Sequence, residues 1–484
     1  MPDGTKAPVA SANPLRIALL VAAAFFMENL DGTVIATALP QMARSFAMSP
    51  VDLNLGMTAY LLTLAVFIPA SGWFADRFGV RSVFASAILG FTLASALCAA
   101  SNGLWEFTAA RILQGVAGAM MVPVGRLVVV RATEKRDLMR MIGIIVWPGL
   151  VAPVLGPPLG GFITTYASWR WIFLLNIPLG LVGLALAWAW ISNERGAARK
   201  PFDWTGFALG GGACVAFMYG IELLGRQDAA WSHVAGFVGT AVVLGILARR
   251  HARRHPHPLL DLHALAVPSF AVAIWGGSLF RIAISTAPFL LPLLFQLGFG
   301  LDAFHSGLLV LTLFAGNLSM KTMTSPVLKR FGFRTTLIGN GLVVVVAAAA
   351  CAFLTPATPW PLIAAVLFVN GLARSMQFTC ITTLSLAEIP APQMSGASTL
   401  SSMVQQMTMG MGIAFGALCL RFAAFVEGNG SGTPSVMDFR IAFALVALVA
   451  LAALFDVRRL APDAGAEVSG HRRGHVQGAG GGEA

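Results

Sequence analysis

The chain has 484 residues, of which 57% are hydrophobic and only 11% charged, with a mean hydropathy of +0.77. Charged residues make up about a quarter of an ordinary soluble domain, so this composition excludes a water-soluble globular protein. The net charge of +11 does not mark a nucleic-acid binder either, because the basic residues recur in short groups between apolar runs instead of covering one domain.

A hydrocarbon core of roughly 30 Å needs about 20 apolar helical residues to cross it. On that basis the first half of the chain carries spans near 15–38, 54–75, 82–101, 106–130, 140–165 and 171–192. Two more follow near 204–224 and 234–250. The remainder fall near 269–297, 305–327, 335–355, 361–386, 395–425 and 439–457. That is fourteen. Most lysines and arginines then lie at the termini or on the side reached after even-numbered spans, including Arg131, Lys135, Arg136, Arg140, Arg249, Arg250, Arg253 and Arg254. Arg44, Arg170, Arg226, Arg421 and Arg440 fall on the other side, and Arg111, Arg126, Arg281, Lys321 and Arg374 lie inside spans. The asymmetry predicts cytoplasmic N- and C-termini in a multi-pass protein of the inner or plasma membrane.

The stretch Gly72-Trp73-Phe74-Ala75-Asp76-Arg77-Phe78-Gly79-Val80-Arg81 is a charged, glycine-bounded turn between apolar runs. Its charges place it at an aqueous edge, since each costs a few kcal/mol near the bilayer centre. A reduced copy, Lys329-Arg330-Phe331-Gly332-Phe333-Arg334, returns 253 residues later. Such a repeat at half-protein spacing predicts two related membrane halves and a transporter. The second copy follows the tenth span where two six-span halves would put it after the eighth, so the pair at 204–224 and 234–250 is an insertion. Lys329 stands where Asp76 stands in the first copy, which leaves the second copy a topogenic role only.

The layout is therefore an N-terminal tail (1–14), a six-helix bundle (15–192), an inserted two-helix linker region (193–268), a second six-helix bundle (269–457) and a solvated, disordered tail (458–484). Five cysteines, Cys98, Cys214, Cys351, Cys380 and Cys419, sit singly in apolar stretches and read as packing thiols. No metal or cofactor site is expected, and the polar first fourteen residues hold no signal peptide.

Several stretches resemble the major facilitator superfamily, and in particular its fourteen-helix drug:proton antiporter branch. Leu30-Asp31-Gly32-Thr33-Val34-Ile35-Ala36-Thr37-Ala38-Leu39-Pro40 is similar to that branch's first-helix signature, and the Gly72–Arg81 turn to the superfamily's loop 2–3 signature. Arg111-Ile112-Leu113-Gln114-Gly115-Val116-Ala117-Gly118-Ala119 resembles the fourth-helix motif, and Gly156-Pro157-Pro158-Leu159-Gly160-Gly161 the fifth-helix antiporter motif. Trp169-Arg170-Trp171-Ile172-Phe173-Leu174-Leu175-Asn176-Ile177-Pro178 is also typical of the branch. The resemblance implies an all-α major facilitator fold of two six-helix bundles plus two inserted helices, a self-sufficient monomer in the lipid bilayer, and transport of a small molecule driven by protons.

A carboxylate in hydrocarbon must pair, face water or take up a proton. Asp31 is such a group, Glu28 shares its helical face three residues earlier, and Arg111 is the partner within the same half; these three are the expected proton-coupling residues. The resemblance makes Gly72, Asp76, Arg77, Gly79 and Arg81 a latch joining the cytoplasmic ends of the halves in the outward-facing state. Gly156, Pro157, Gly160 and Gly161 permit a bent, closely packed fifth helix that serves as hinge or seal. The second half carries Arg281, Lys321 and Arg374 with no carboxylate deep in its spans; Glu388 and Asp456 fall at span ends. With Gln114, Asn317, Gln405 and Gln406 these cations are the expected substrate cavity, beside the flexible Met403, Met407, Met409 and Met411. The leading reading is a proton-driven exporter of small amphiphilic compounds, neutral or anionic; the alternative is a proton symporter importing an organic anion. No nucleophile elbow, metal cluster, phosphate loop or selectivity-filter segment supports an enzyme or a channel.

Overall fold

The computed structural model describes residues 13–134, 137–193, 201–224, 231–256, 258–260, 262–390, 393–428 and 433–470. Lys135, Arg136, Arg226 and the tail beyond residue 470 lie outside the described residues. Among the described residues thirteen helices are long and apolar enough to cross a membrane, and one of them, Ala303–Ala352, is 50 residues long. It breaks at Gly332, whose φ of 71° and ψ of 172° are not helical, and so supplies two spans. The fourteen spans are α1 (Pro14–Ser45), α2 (Asn54–Phe78), α3 (Val80–Ala100), α4 (Leu104–Ala132), α5 (Leu138–Tyr166), α6 (Arg170–Trp190) and α7 (Trp204–Leu224). Then come α8 (Trp231–Arg254), α9 (Pro268–Gly298), α10 (303–331), α11 (333–352), α12 (Trp360–Ala387), α13 (Met394–Val426) and α14 (Val436–Val457). Helices satisfy every backbone hydrogen bond within one segment, which is why an apolar chain crosses a bilayer in this form. Exposed Leu89, Leu93, Leu97 and Val346 on their outer faces meet lipid.

The repeated turn is visible in the backbone. Gly79 ends α2 with φ 94°, and Gly332, its counterpart 253 residues on, has φ 71°. Both take a conformation that costs a side chain but not glycine. A Cβ on Gly79 would also run into the amide of Asn193.

The two halves share one large apolar core at the end opposite the chain termini. It joins Leu30, Leu39, Phe107 and Phe173 of the first half to Phe289, Leu309, Phe314 and Phe439 of the second. At the termini end the cores are separate: Ile17, Phe25, Phe84 and Val128 in one half, Phe280, Phe333, Ile381 and Leu454 in the other. The molecule is thus sealed at one end and cleft at the other. The seal is close backbone packing: Gly160 lies on the carbonyl of Val34 and on Thr37, Gly161 on Ala303 and Phe304, and Gly307 on the carbonyl of Pro157. α5 carries Pro148, Pro153, Pro157 and Pro158, which free backbone groups and bend it along this seam. Hydrogen bonds from Gln296 Nε2 to the Thr37 carbonyl (3.1 Å) and from the Phe304 N–H to Thr165 Oγ1 (3.1 Å) cross it.

The inserted pair fills a definite place. Cys214 of α7 packs with Ala65 of α2 and Met403 of α13, so α7 covers the junction of the two halves. Near the sealed end Arg421 of α13 reaches Asp52 at 2.5 Å and Glu222 of α7 at 3.7 Å, and Asn54 donates to Glu222 at 3.3 Å. At the termini end Asp203 precedes α7 and accepts N–H bonds from Gly206 (2.8 Å) and Leu259 (3.1 Å), with His251 Nε2 at 2.7 Å. Burial alone would raise the Asp203 carboxyl, but these donors outweigh it and hold the group below the usual carboxylate value.

The expectation of a disordered tail from residue 458 needs correcting for its first part. Leu460 and Ala464 join the second-half core, the Gly465 N–H donates to Glu388 Oε1 at 2.8 Å, and residues Ala466–Ser469 form one helical turn. The apolar residues before the glycine-rich stretch find a partner in Phe333 and Leu384, against which Gly465 packs. The first span also runs to Ser45, seven residues past its expected end, because Pro40 is accommodated within the helix.

Two outcomes are expected here. Arg421→Ala removes the partly exposed pair with Asp52, worth about 1 kcal/mol or less, together with the contact to the buried Glu222, and should speed maleimide labelling of a cysteine placed at Thr165 several-fold. Unchanged labelling would mean that apolar packing alone closes that end. Asp203→Ala should cost about 1–2 kcal/mol in unfolding of the purified protein, as loss of a helix-capping carboxylate does. Because the folded carboxyl titrates low, its stabilisation is complete above the ordinary carboxylate value and fades only as pH falls through the lower folded one. In Asp203→Asn that acid-side loss should be absent.

Candidate functional site

Asp31, midway along α1, has a fully enclosed side chain. A lone carboxylate there would be untenable, and three donors from two other helices hold it. Arg111 Nη1 of α4 donates to Oδ2 at 2.6 Å, Gln114 Nε2 to Oδ1 at 3.0 Å, and Asn176 Nδ2 of α6 to Oδ1 at 2.8 Å. Ser95 Oγ of α3 accepts from Gln114 Nε2 (2.9 Å) and Asn176 Nδ2 (3.1 Å), fixing both amides. Arg111 also donates to Gln114 Oε1 and lies over the Tyr60 ring of α2, 4.1 Å from its centroid. The helical spacing of Arg111 and Gln114 puts both on one face of α4. Five of the first half's six helices therefore meet at one charge.

Beside this network lies a cavity of about 230 Å³ walled by both halves. The first half contributes Glu28, Asn29, Thr33, Tyr60 and Arg111; the second contributes Ser285, Asn317, Arg374 and Gln406. Pro153, Pro157, Pro288, Phe289, Phe314 and Met409 make the rest of the wall apolar, the mixture of apolar surface and few polar groups typical of a small-molecule site.

The expected residues sort as follows. Asp31 and Arg111 are directly paired, and Glu28 is on the cavity wall. Of the expected cavity residues Asn317, Arg374 and Gln406 line it, whereas Gln114, Arg281, Lys321 and Gln405 do not. Gln114 is drawn back by Asp31 and Ser95. Lys321 turns its Nζ to Thr379 Oγ1 at 2.7 Å. Arg281 is wholly enclosed within the second half and none of its three guanidinium nitrogens has a hydrogen-bond partner. Gln405 is displaced from the lining by the pitch of α13, which turns Gln406 inward instead. Ser95, Asn176 and Tyr60 were not anticipated in the site. Asn176, inside the Trp169–Pro178 stretch, was the one with a signal: an amide in an otherwise apolar span.

The Gly72–Arg81 turn packs against the first half and against the linker, where Trp73 and Phe74 meet the Phe202 ring with centroids 4.9 and 6.3 Å away. Asp76 pairs with Arg131 at 2.9 Å, Arg81 lies 4.9 Å from the Trp188 ring centroid, and Asn193 bonds Ser82 beneath Gly79. Arg77 is exposed, and a Cβ on Gly72 would meet nothing within 4 Å. In the conformation cleft at the termini end Asp76 thus finds its ion partner on α4 of the same half. Gly156 and Gly160 press α5 onto Thr33 and Val34 of α1, while Gly161 presses it onto α10, so the glycines of the fifth helix serve the seal.

Arg111→Met should cost about 3–5 kcal/mol of stability, since it strands Asp31 as a buried charge. Adding Asp31→Asn to it should recover much of that loss, a coupling that thermal unfolding of the four proteins of the cycle measures directly. Additive losses would mean that the two groups do not depend on each other.

Comparison with known proteins agrees with this geometry. The sequence profile of the Major Facilitator Superfamily matches residues 21–417. The "Putative multidrug resistance protein MdtD" of Pectobacterium carotovorum subsp. carotovorum is 36% identical over 443 residues, covering 90% of this chain and 93% of that one. Its namesake in Escherichia coli O6:H1 is 36% identical over 447 residues, with 91% and 93% covered. Among solved structures, a D-xylose-proton symporter superposes with a TM-score of 0.66 at 14% identity, covering 93% of this chain and 98% of that one. A bacterial homologue of the human lysosomal transporter Spinster, inward-facing and unoccupied, gives 0.63 at 14% identity, with 95% and 97% covered. The chain is a multi-pass membrane transporter that belongs to the Major Facilitator Superfamily, on the fourteen-helix drug:proton antiporter branch its motifs resemble.

Proposed function

We propose that the protein is a proton-coupled exporter of small amphiphilic organic compounds, working by alternating access as a monomer in the inner or plasma membrane with both termini cytoplasmic. The observation that carries this reading is a cavity shared by two halves that are sealed at one end only, with Glu28 on its wall and the buried Asp31–Arg111 pair beside it. An apolar wall with scattered polar groups takes up varied amphiphilic bodies. Protonation of a carboxylate beside that wall changes the charge the cargo meets, and so shifts the balance between the two openings. The 36% identity to proteins named for multidrug resistance supports export as the direction. On the sidedness expected from the basic loops, the cleft end faces the cytoplasm, the side from which an exporter loads. The Gly72–Arg81 turn would then engage the second half only after that end closes.

A second reading rests on the opposite wall. Arg374 lines the cavity with its Nη1 unpartnered, and Arg281 is buried in the same half with no hydrogen-bond partner on its guanidinium. An anion held near these cations and a proton on a first-half carboxylate favour one another, which is the electrostatics of a proton symporter importing an organic anion. Inside-out vesicles acidified within distinguish the two: an exporter accumulates its substrate there, a symporter expels it. In either direction Asp31→Asn should abolish proton-driven movement while the protein still folds. Undiminished proton-driven transport in that variant removes Asp31 from the mechanism.

A further inference from the structure

The linker between the halves gathers a set of side chains for which transport through the central cavity has no use. Asp203, directly before α7, and His251 and His255, at the end of α8, hold their ligand-type atoms within 4.8 Å of one another. The His255 N–H still donates to the His251 carbonyl at 2.9 Å. Helical geometry therefore runs through both histidines, and their four-residue spacing sets them on one face. Their ring centroids lie 5.0 Å apart. Asp203 is 48 residues from His251 in the chain, which is why no metal-ligand spacing shows in the sequence.

The carboxylate is fixed before any ion arrives. Its side chain is only 3% exposed. The Gly206 N–H bonds Oδ1 at 2.8 Å and the Leu259 N–H bonds Oδ2 at 3.1 Å, and a Cβ on Gly206 would run into the same group. Ligating carboxylates are commonly oriented by hydrogen bonds of this kind. Pro256 follows His255 and cannot continue the helix, so the chain turns back and brings Leu259 to Asp203. His251 Nε2 lies 2.7 Å from Asp203 Oδ1, and both histidines are half-buried, open on one side to water. Arg249, Arg250, Arg253 and Arg254 on the same helix are exposed, where water and salt screen their charge.

We propose that Asp203, His251 and His255 form a binding site for a divalent transition-metal ion of the zinc, cobalt or nickel class. Two imidazole nitrogens and one carboxylate oxygen are the donor set such ions take. Calcium and magnesium prefer oxygen shells, which two imidazoles cannot supply. Bonds of about 2.0–2.2 Å to zinc put the ligand atoms roughly 3–3.5 Å apart, so His255 closes in by side-chain rotation while His251 and Asp203 part slightly. The ion takes the place of the proton between His251 Nε2 and Asp203 Oδ1, which leaves to water. Water completes the fourth position. A bound ion ties the start of α7 to the end of α8. It also braces Phe202, the neighbour of Asp203, whose ring packs on Trp73 of the Gly72–Arg81 turn at 4.9 Å and on Phe207 of α7 at 5.6 Å. The linker corner at the termini end is thereby a metal-dependent cross-link, distinct from the cargo site.

The full-length protein, purified in lipid with an affinity tag free of histidine and stripped by a chelator, is equilibrated with Co2+ and then freed of excess. The wild type should retain one Co2+ per chain more than His255→Ala, a difference that cancels uptake by His471 and His475 of the tail. Its visible spectrum should carry the strong d–d bands of four-coordinate Co2+, absent from the variant. Zinc should raise the thermal unfolding midpoint of the wild type and leave that of His255→Ala unmoved. His255→Cys keeps a ligand but exchanges nitrogen for sulfur, so it should hold the ion and gain a thiolate-to-cobalt charge-transfer band. Equal Co2+ retention by wild type and His255→Ala, or a His255→Cys protein without the charge-transfer band, would overturn the site. His255 is half-buried at a helix end, so neither substitution empties core volume. Metal content and spectra do not depend on the direction or driving force of transport.

Discussion

The salt bridge between Asp31 and Arg111 is the interaction on which the first half depends. Both side chains are removed from water, and in a membrane interior the cost of an unmatched charge is several kcal/mol. The geometry must therefore be kept: Arg111 Nη1 stays within 2.6 Å of Asp31 Oδ2, and Gln114, Asn176 and Ser95 supply the remaining hydrogen bonds. Because those residues come from α1, α3, α4 and α6, satisfying one carboxylate fixes the relative positions of four helices.

Between the halves the physics is different. Among the described residues no buried ion pair crosses the centre; the seal is made of backbone approaching backbone, possible only where side chains stop at hydrogen. Gly161 against Ala303, Gly307 against Pro157 and Gly160 against Val34 bring α5 into contact with α10 and α1 at once. In lipid such contacts gain from dispersion rather than from exclusion of water, so they can be exchanged for similar contacts at the other end at little net cost. The more exposed Arg421–Asp52 pair adds a weak electrostatic tie at the rim. A rigid half and an exchangeable seam are the two mechanical requirements of alternating access.

Much of this was legible in the residues. Span number, the insertion after the sixth span and the duplicated turn follow from hydropathy and from one repeated motif, and the shared positive φ of Gly79 and Gly332 is the same signal in the backbone. The Asp31–Arg111 pair was legible because a membrane charge needs an opposite one and the first half offers few. What stayed hidden were the uncharged partners. Ser95, Asn176 and Tyr60 carry no obligation in the sequence to face inward, and only the packing of α3, α6 and α2 around α1 decides it. The same holds for Gln405 and Gln406, adjacent in the chain, of which only the second reaches the cavity. The Leu460–Ser469 segment was misread because a glycine-rich tail dilutes the few apolar residues that anchor its start.

The repeat copies shape and not chemistry. Gly332 retains the backbone of Gly79, but Lys329 replaces Asp76, and the second half has no deep carboxylate to answer Asp31. Its arginines fill that absence with the opposite problem: Arg281 is enclosed with three unpartnered nitrogens and Arg374 holds one, against the 5.5 Å face of Phe314. A buried cation of this kind is tolerated where something else offsets it for part of the cycle. Within the cavity the groups placed to do so are a carboxylate on the facing wall or a polar group on the cargo itself. Either way the two walls are electrically unlike, acidic on α1 and basic on α12, and whatever enters between them meets a field running across the cleft. A symmetric scaffold thereby acquires a direction in charge, and on the proposed reading it is this asymmetry that couples the proton on one wall to the polarity of the molecule against the other.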